Sequence, residues 1–284
     1  MKKHILVITN TKSDDRLPLE KARDIIHSFD ASVEIIKFIH SKDELELTLK
    51  QIQTSLSATI DDVFDELSEV TSTVINSDNI VDWVVTRCQQ SSIDLVIKTG
   101  HRSESLFHTP CDWQLIRHLP CPILIASHTK WKSNANILLT VDLSDNKSMH
   151  QELNTLTLNW GKIWSNITHT QLHAMYSIPI SNSLLELDIV DKRTVEQEHG
   201  PAAEEQMKGL LTQFNMDFVT PHITAGPPVR TIPHIANELH SDLVIMGTMG
   251  REGISGFLLG NTAEKVLHHL RTDCLIVRLP TVTP

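Results

Sequence analysis

An internal repeat constrains this chain more than any other feature. His4-Ile-Leu-Val-Ile-Thr-Asn10 lines up with Asn136-Ile-Leu-Leu-Thr-Val-Asp142, each a short apolar run that ends in small polar residues. Asp94-Leu-Val-Ile97 lines up with Asp242-Leu-Val-Ile245, and His118-Leu119 followed by Ile123-Leu-Ile125 matches His269-Leu270 followed by Cys274-Leu-Ile276. Self-similarity on this scale means that one small domain occurs twice. The copies are expected over 1–130 and 134–284, with the polar Thr129-Lys-Trp-Lys-Ser-Asn134 as the join.

Between the matching runs the pattern changes to helical spacing, over Leu17 to Phe29, Leu45 to Val70, Ile80 to Cys88, Met149 to Trp164 and Val195 to Leu211. Leu184 to Leu211 also reads as one long helical segment. Second strands are expected at Val33 to Ile39 and Ile167 to Ala174, and third strands near Ser72 to Ile75 and Asp217 to His222. Continuous apolar runs alternating with helices imply parallel strands covered on both faces. With right-handed crossovers, each copy becomes a doubly wound, Rossmann-like α/β domain with a five-stranded parallel sheet.

Composition narrows the function. The excess of 35 acidic over 25 basic residues, a net charge of -10, argues against a nucleic-acid partner, which needs clustered Lys and Arg. No apolar run reaches the roughly 20 residues of a membrane span. The start Met1-Lys-Lys-His4 lacks a signal-peptide pattern, so a cytoplasmic protein is expected. Cys88, Cys111, Cys121 and Cys274 form no C-x-x-C pair and are expected as packed thiols; the 16 histidines show no metal-binding spacing. Five tryptophans, at 83, 113, 131, 160 and 164, are expected to anchor cores or seams.

The chemistry concentrates after the fourth strand of the second copy. Met246-Gly247-Thr-Met-Gly250-Arg251-Glu-Gly253-Ile-Ser-Gly256-Phe-Leu-Leu-Gly260-Asn261-Thr262 carries five of the ten glycines and leads into a helical stretch from Glu264. Glycine allows positive φ and close backbone approach, and a helix N-terminus offers free N–H groups. That combination suits phosphate, although a tight turn that binds nothing uses the same residues. Asn261 and Thr262 serve either as helix caps or as side-chain donors to an anion. Arg251 either reaches a phosphate or stays solvated. Asp142, at the end of the first strand, faces the same crevice, or else caps its own turn. The loop is neither a P-loop nor a dinucleotide fingerprint.

The spacing Gly247-x2-Gly250-x9-Gly260-Asn261 closely resembles the nucleotide loop of the universal stress protein (UspA) family, G-x2-G-x9-G followed by Ser, Thr or Asn. Thr109-Pro-Cys-Asp-Trp-Gln114 and Leu259-Gly-Asn-Thr-Ala-Glu264 extend the resemblance to a tandem member, over about His4 to Leu279. The resemblance implies two domains of the adenine nucleotide alpha hydrolase-like fold, docked as an intramolecular pseudo-dimer through their last strands, with a further homodimer of whole chains. It implies ATP or a related adenine nucleotide, with magnesium accompanying it, in the second domain only. Asp142 and the residues after strand two, about Ala174, would hold adenine. Met246, Gly247, Gly250, Gly260, Asn261 and Thr262 would hold ribose and phosphates, with Arg251 nearby. Copy one departs from the pattern: Asn10 replaces the Asp, Thr99 and Arg102 replace glycines, and Thr109-Pro110 stands where Gly260-Asn261 does. No nucleotide is expected there.

Three function classes follow. The first is a stress-response regulatory protein that binds a nucleotide. The second is a slow ATPase or self-phosphorylating protein using Asp142, Ser144, Thr248 or Ser255; no nucleophile, base and orienter assemble in a known order, so no catalytic residue is assigned. The third is a carrier of an apolar ligand between the copies.

Overall fold

The structure is a computed structural model that describes residues 2–10, 16–27, 30–39, 46–65, 68–100, 111–127, 129–132, 134–145, 147–166, 170–187, 189–248, 251–253, 256–258 and 261–279. They divide into two compact units, one within Met1–Trp131 and one within Lys132–Leu279.

The first unit runs β1 (Lys3–Asn10), α1 (Arg16–Ile26), β2 (Ala31–Ile39), α2 (Glu46–Val63), β3 (Val70–Asn76), α3 (Ile80–Gln90), β4 (Leu95–Thr99), α4 (Cys111–His118) and β5 (Ile123–Ala126). Its strands lie in the order β3-β2-β1-β4-β5, each pair parallel. The second unit runs β6 (Asn136–Thr140), α5 (Ser148–Ser165), β7 (Gln171–Ile178), α6 (Asn182–Glu186), α7 (Lys192–Gln213), β8 (Thr220–Ala225), α8 (Pro228–Glu238), β9 (Leu243–Thr248), β10 (Arg251–Gly253), β11 (Gly256–Leu258), α9 (Asn261–His269) and β12 (Asp273–Arg278). Its parallel sheet has the same order, β8-β7-β6-β9-β12. Each unit is therefore a five-stranded doubly wound domain, and its strand order reverses beside the first strand.

The apolar runs of the sequence become the sheet cores. Ile5, Leu6 and Val7 in β1 and Ile137, Leu138 and Leu139 in β6 are completely buried. Two faces covered by helices require this, because a parallel strand has no solvent-facing side. Trp164 is buried at 2% exposure, Trp113 is buried, and Trp83 meets Phe38 edge to face at 5.6 Å.

Four expectations need correction. The helix expected over Leu45 to Val70 ends at Val63, and Val70 already belongs to β3. The break is a turn in which the Ser68 amide donates to the Asp65 carbonyl at 3.1 Å and the Ser68 hydroxyl donates to the Asp65 carboxylate at 2.6 Å. Leu184 to Leu211 is two helices, because the Asp191 side chain accepts from the Thr194 amide and starts α7 anew. The strand expected at Ile167 to Ala174 is β7, Gln171–Ile178, whose register is set by pairing of Gln171 with Asn136, while 167–169 lie outside the described residues. The third strand of the second unit likewise starts at Thr220, where pairing with His173 begins.

Candidate functional site

A cavity of about 320 Å³ opens at the C-terminal ends of β6, β7 and β9, where the strand order of the second unit reverses. Val141 and Asp142 form one wall, Tyr176 and Pro179 a second, and Met246 and Gly247 a third; α5, α8 and Ala263 of α9 complete it.

Asp142 is held at its backbone and at its carboxylate. Its amide donates to Asn154 Oδ1 at 2.9 Å, and Asn154 Nδ2 donates back to its carbonyl at 2.8 Å. This two-bond clamp from α5 fixes the backbone that leaves β6. One carboxylate oxygen accepts from the Ser144 amide at 2.9 Å, so Asp142 does cap its own turn. The other lies 3.6 Å from His150 Nδ1, which also sits 2.8 Å from Asp145 Oδ1. The Lys147 ammonium, 2.6 Å from Asp145, holds the Asp145 carboxyl below the usual carboxylate range. Burial pushes the Tyr176 phenol up, and the nearby Asp142 charge adds to this. The lip is thus acidic, and no Lys or Arg is among the described residues lining the cavity.

Deeper in, Thr157 is 1% exposed and Thr248 is 5% exposed, and neither side-chain oxygen has a hydrogen-bond partner among the described residues. Both line the cavity. A buried hydroxyl without a partner costs stability, on the order of 1–3 kcal/mol. Around the rim, order is enforced by Thr231 donating to the Ser177 hydroxyl at 2.9 Å and Ser177 donating to the Gly226 carbonyl at 2.7 Å. This chain pins the start of α8 to the end of β7, and Gly226 adopts φ 136°, a conformation open to glycine.

The expected residues divide clearly. Asp142, Met246 and Gly247 meet at the cavity. Ala174 does not: it is fully buried inside β7, and the strand continues to Ile178, so Tyr176 and Pro179 stand where Ala174 was expected. Gly250 and Gly260 lie outside the described residues. Arg251 opens β10, which pairs antiparallel with β11, a hairpin absent from the sequence reading. Asn261 and Thr262 open α9, with side chains outside the described part. Gly247 has a packing role as well, since a Cβ there would meet Leu153 Cβ at 3.3 Å. His150, Asn154 and Thr157 were not foreseen. Their signal was available: Asn154 and Thr157 are polar residues on the buried stripe of α5, beside Leu153 and Leu158.

The residues that match this cavity in the first unit differ in kind. Lys98 aligns with Met246 and Asp112 with Ala263, and Lys98 Nζ lies 2.6 Å from Asp112 Oδ1 in a buried ion pair. Gly100 aligns with Thr248, and a Cβ there would meet Ile125 Cγ2 at 2.8 Å.

Residues 165–278 match the profile described as "Universal stress protein family". The chain is 28% identical to the Universal stress protein E homolog of Haemophilus influenzae, over 97% of each chain. It is 32% identical to Universal stress protein E of Escherichia coli K12, over 65% of this chain and 60% of that one. The chain belongs to the universal stress protein family. As a tandem universal stress protein it shares its fold with a putative universal stress protein from Pseudomonas aeruginosa UCBPP-PA14, at TM-score 0.74 and 24% identity over 98% of this chain and 93% of that one. A universal stress protein from Archaeoglobus fulgidus shares the fold at TM-score 0.64 and 13% identity, over 96% of this chain and 98% of that one. Among the described residues, no helix of this universal stress protein is long and apolar enough to cross a membrane.

Proposed function

We propose that the second unit binds one adenine nucleotide, ATP or a close relative, and that the protein acts in the cytoplasm as a regulatory binding protein of the stress response. The observation that carries this reading is the pair of buried, partnerless hydroxyls, Thr157 and Thr248, inside a cavity at the strand C-terminal ends. They are donors and acceptors waiting for a polar group, and the cavity volume falls at the lower end of small-ligand sites, about 300–1,000 Å³. An acidic lip formed by Asp142 and Asp145 favours a group that carries hydrogen-bond donors, such as an aminated base and its ribose. The phosphates then run outward past Gly247 toward the N-terminus of α9, where free amides suit an anion. A magnesium ion would travel with the phosphates, as is usual for this cation. Among the described residues no cluster of three or more His, Cys, Asp or Glu side chains is placed to hold a metal.

Binding of this kind biases conformation through differential affinity and needs no turnover. Isothermal calorimetry with ATP at millimolar concentration tests the reading. One nucleotide per chain is expected, and Thr157→Val and Thr248→Val should each weaken binding by roughly tenfold, the worth of one good hydrogen bond, without lowering the melting temperature. Absence of binding, or two equivalents per chain, overturns it.

A further inference from the structure

Among the described strands β8 pairs with β7 alone, so it forms an edge of the second unit's sheet. A strand held by one neighbour is among the parts of a sheet that open most readily. Its hold on β7 includes one side-chain contact, His173 Nδ1 to His222 Nε2 at 3.0 Å, with the ring centroids 5.1 Å apart. His173 is 8% exposed and His222 is half-buried. The second ring nitrogen of His173, Nε2, has no hydrogen-bond partner among the described residues. His173 precedes Ala174, the register partner of Leu139, and Leu139 lies against Gly161 of α5. Alternation along the strand therefore turns the pair to the opposite face, where α8 packs on β7.

The ionisable groups around the pair are few. α8 brings Arg230, His234 and Glu238; the Glu238 charge reaches His222, and Glu238 itself lies 3.4 Å from His234 Nε2. α7 brings Glu196, which accepts from the Thr224 hydroxyl and the Ala225 amide at the strand edge, both at 2.9 Å. β6 carries no ionisable side chain, and β7 adds only Tyr176. Burial pushes both imidazoles below their ordinary value; the His222 ring adds to this for His173, and Glu238 partly opposes it for His222.

The same strand is tied to the cavity. Met175, opposite His222 in the register, lines it. Beyond His222, β8 ends at Gly226, whose amide donates to the Ile178 carbonyl at 2.9 Å and whose carbonyl accepts from the Ser177 hydroxyl at 2.7 Å. Pro228 and Ile232 of α8 follow directly and form part of the cavity wall. Parting β8 from β7 at His222 therefore displaces that wall.

We propose that the His173–His222 pair is an acid-operated latch on the β8–α8 wall of the cavity, so that protonation of both rings parts β8 from β7 and releases the nucleotide. The release step rests on the nucleotide reading; the latch itself does not. In the neutral pair one N–H is shared between Nδ1 of His173 and Nε2 of His222. With both rings protonated, N–H faces N–H, the hydrogen bond is lost and two positive charges stand in contact. An imidazolium at His173 also points its Nε2 N–H where the described residues offer no acceptor. Water satisfies both rings once the strand swings out, so the parted state takes up protons and acid favours it. The latch holds at neutral pH and weakens as pH falls below the ordinary imidazole value of 6.5 toward the lower values of the closed state.

The test follows amide hydrogen exchange of the ligand-free full chain at about pH 7.5 and about pH 5, with β6 and β9 of the same molecule as references for the pH dependence of exchange chemistry. In the wild type, opening of β8 (Thr220–Ala225) relative to these references should rise roughly tenfold at the lower pH, the worth of one pKa unit between closed and parted states. His222→Gln keeps a hydrogen-bonding partner for His173 and takes no proton, and His173→Phe removes the pair at similar size; each should abolish the rise. Calorimetric ATP affinity should fall roughly tenfold further in the wild type than in His222→Gln between the same two conditions, the nucleotide's own protonation being common to both. Unchanged protection of β8 in acid, loss spread evenly over β6 and β9, or an equal rise in both variants overturns the latch. Absence of ATP binding at neutral pH brings down the nucleotide reading and the release step together. Equal loss of affinity in wild type and His222→Gln, with β8 opening as expected, brings down the release step alone.

Discussion

The two units share strand order, handedness and much of their core, yet the C-terminal ends of their strands are furnished in opposite ways. In the second unit Met246, Ala263 and Gly247 line a cavity whose polar groups include unsatisfied hydroxyls. In the first, the aligned Lys98 and Asp112 occupy one another as a buried ion pair, and Gly100 leaves no room for a side chain beside Ile125. A buried ion pair spends its charges on one another, whereas hydroxyls without partners among the described residues face an open volume. The two units thus share an architecture, while the aligned side chains at two strand-end positions are apolar in the second and an ion pair in the first. The lesson is that a fold positions a site, and the side chains at a few strand ends decide whether it is one.

The sharpest way to break this comparison is to remove one member of the ion pair. Lys98→Met removes the buried cation beside Asp112 and should cost about 3–5 kcal/mol, read as the drop in urea-unfolding free energy. The double variant Lys98→Met with Asp112→Ala, which carries the residues of the second unit, should recover most of that loss. A single-variant cost below about 1 kcal/mol would mean that the pair is solvated rather than buried. Next in size is Gly247. Gly247→Val should cost about 1–3 kcal/mol through collision with Leu153, and a double-mutant cycle with Leu153→Ala should show coupling. Strictly additive effects would assign this glycine to the ligand alone. The smallest expected effect concerns acid. His173 Nδ1 and His222 Nε2 stand 3.0 Å apart in the second unit, and burial pushes both imidazoles below their usual value, with His222 adding for His173 and Glu238 partly opposing for His222. The unfolded chain therefore binds protons first, and stability held at neutral pH is lost as pH falls below the ordinary value of 6.5 toward the lower folded values. Melting temperatures measured from pH 7.5 to 5 should fall less steeply in His173→Phe than in the wild type; equal slopes would remove this contrast.

How much of this was legible depends on how local the cause is. β1, β4, β6 and β9 were readable because a strand covered on both faces is a continuous apolar run, and such runs repeat visibly. Helix ends were less so, because an apolar period passes through a break that depends on one hydrogen-bonded turn, as at Asp65 and Ser68. The register of β7 was unreadable in Ile-Thr-His-Thr-Gln-Leu-His-Ala, since only pairing with β6 selects Gln171 as its start, and Ala174 was misplaced for that reason. Asp142 was found because an acidic residue at the end of a first strand is a positional signal, whereas its turn and its clamp by Asn154 required the fold.

The sequence by itself determined that one α/β domain occurs twice, that its strands are parallel, and that the copies diverge at their glycines. Hydrophobic periodicity and backbone freedom act over a few residues, and sequence order carries them. Only the tertiary structure decided which side chains meet at the strand ends. Thr157 and Thr248, or Lys98 and Asp112, become neighbours through the packing of helices onto strands. Burial, and not identity, is what makes a threonine hydroxyl costly and a lysine dependent on a facing carboxylate.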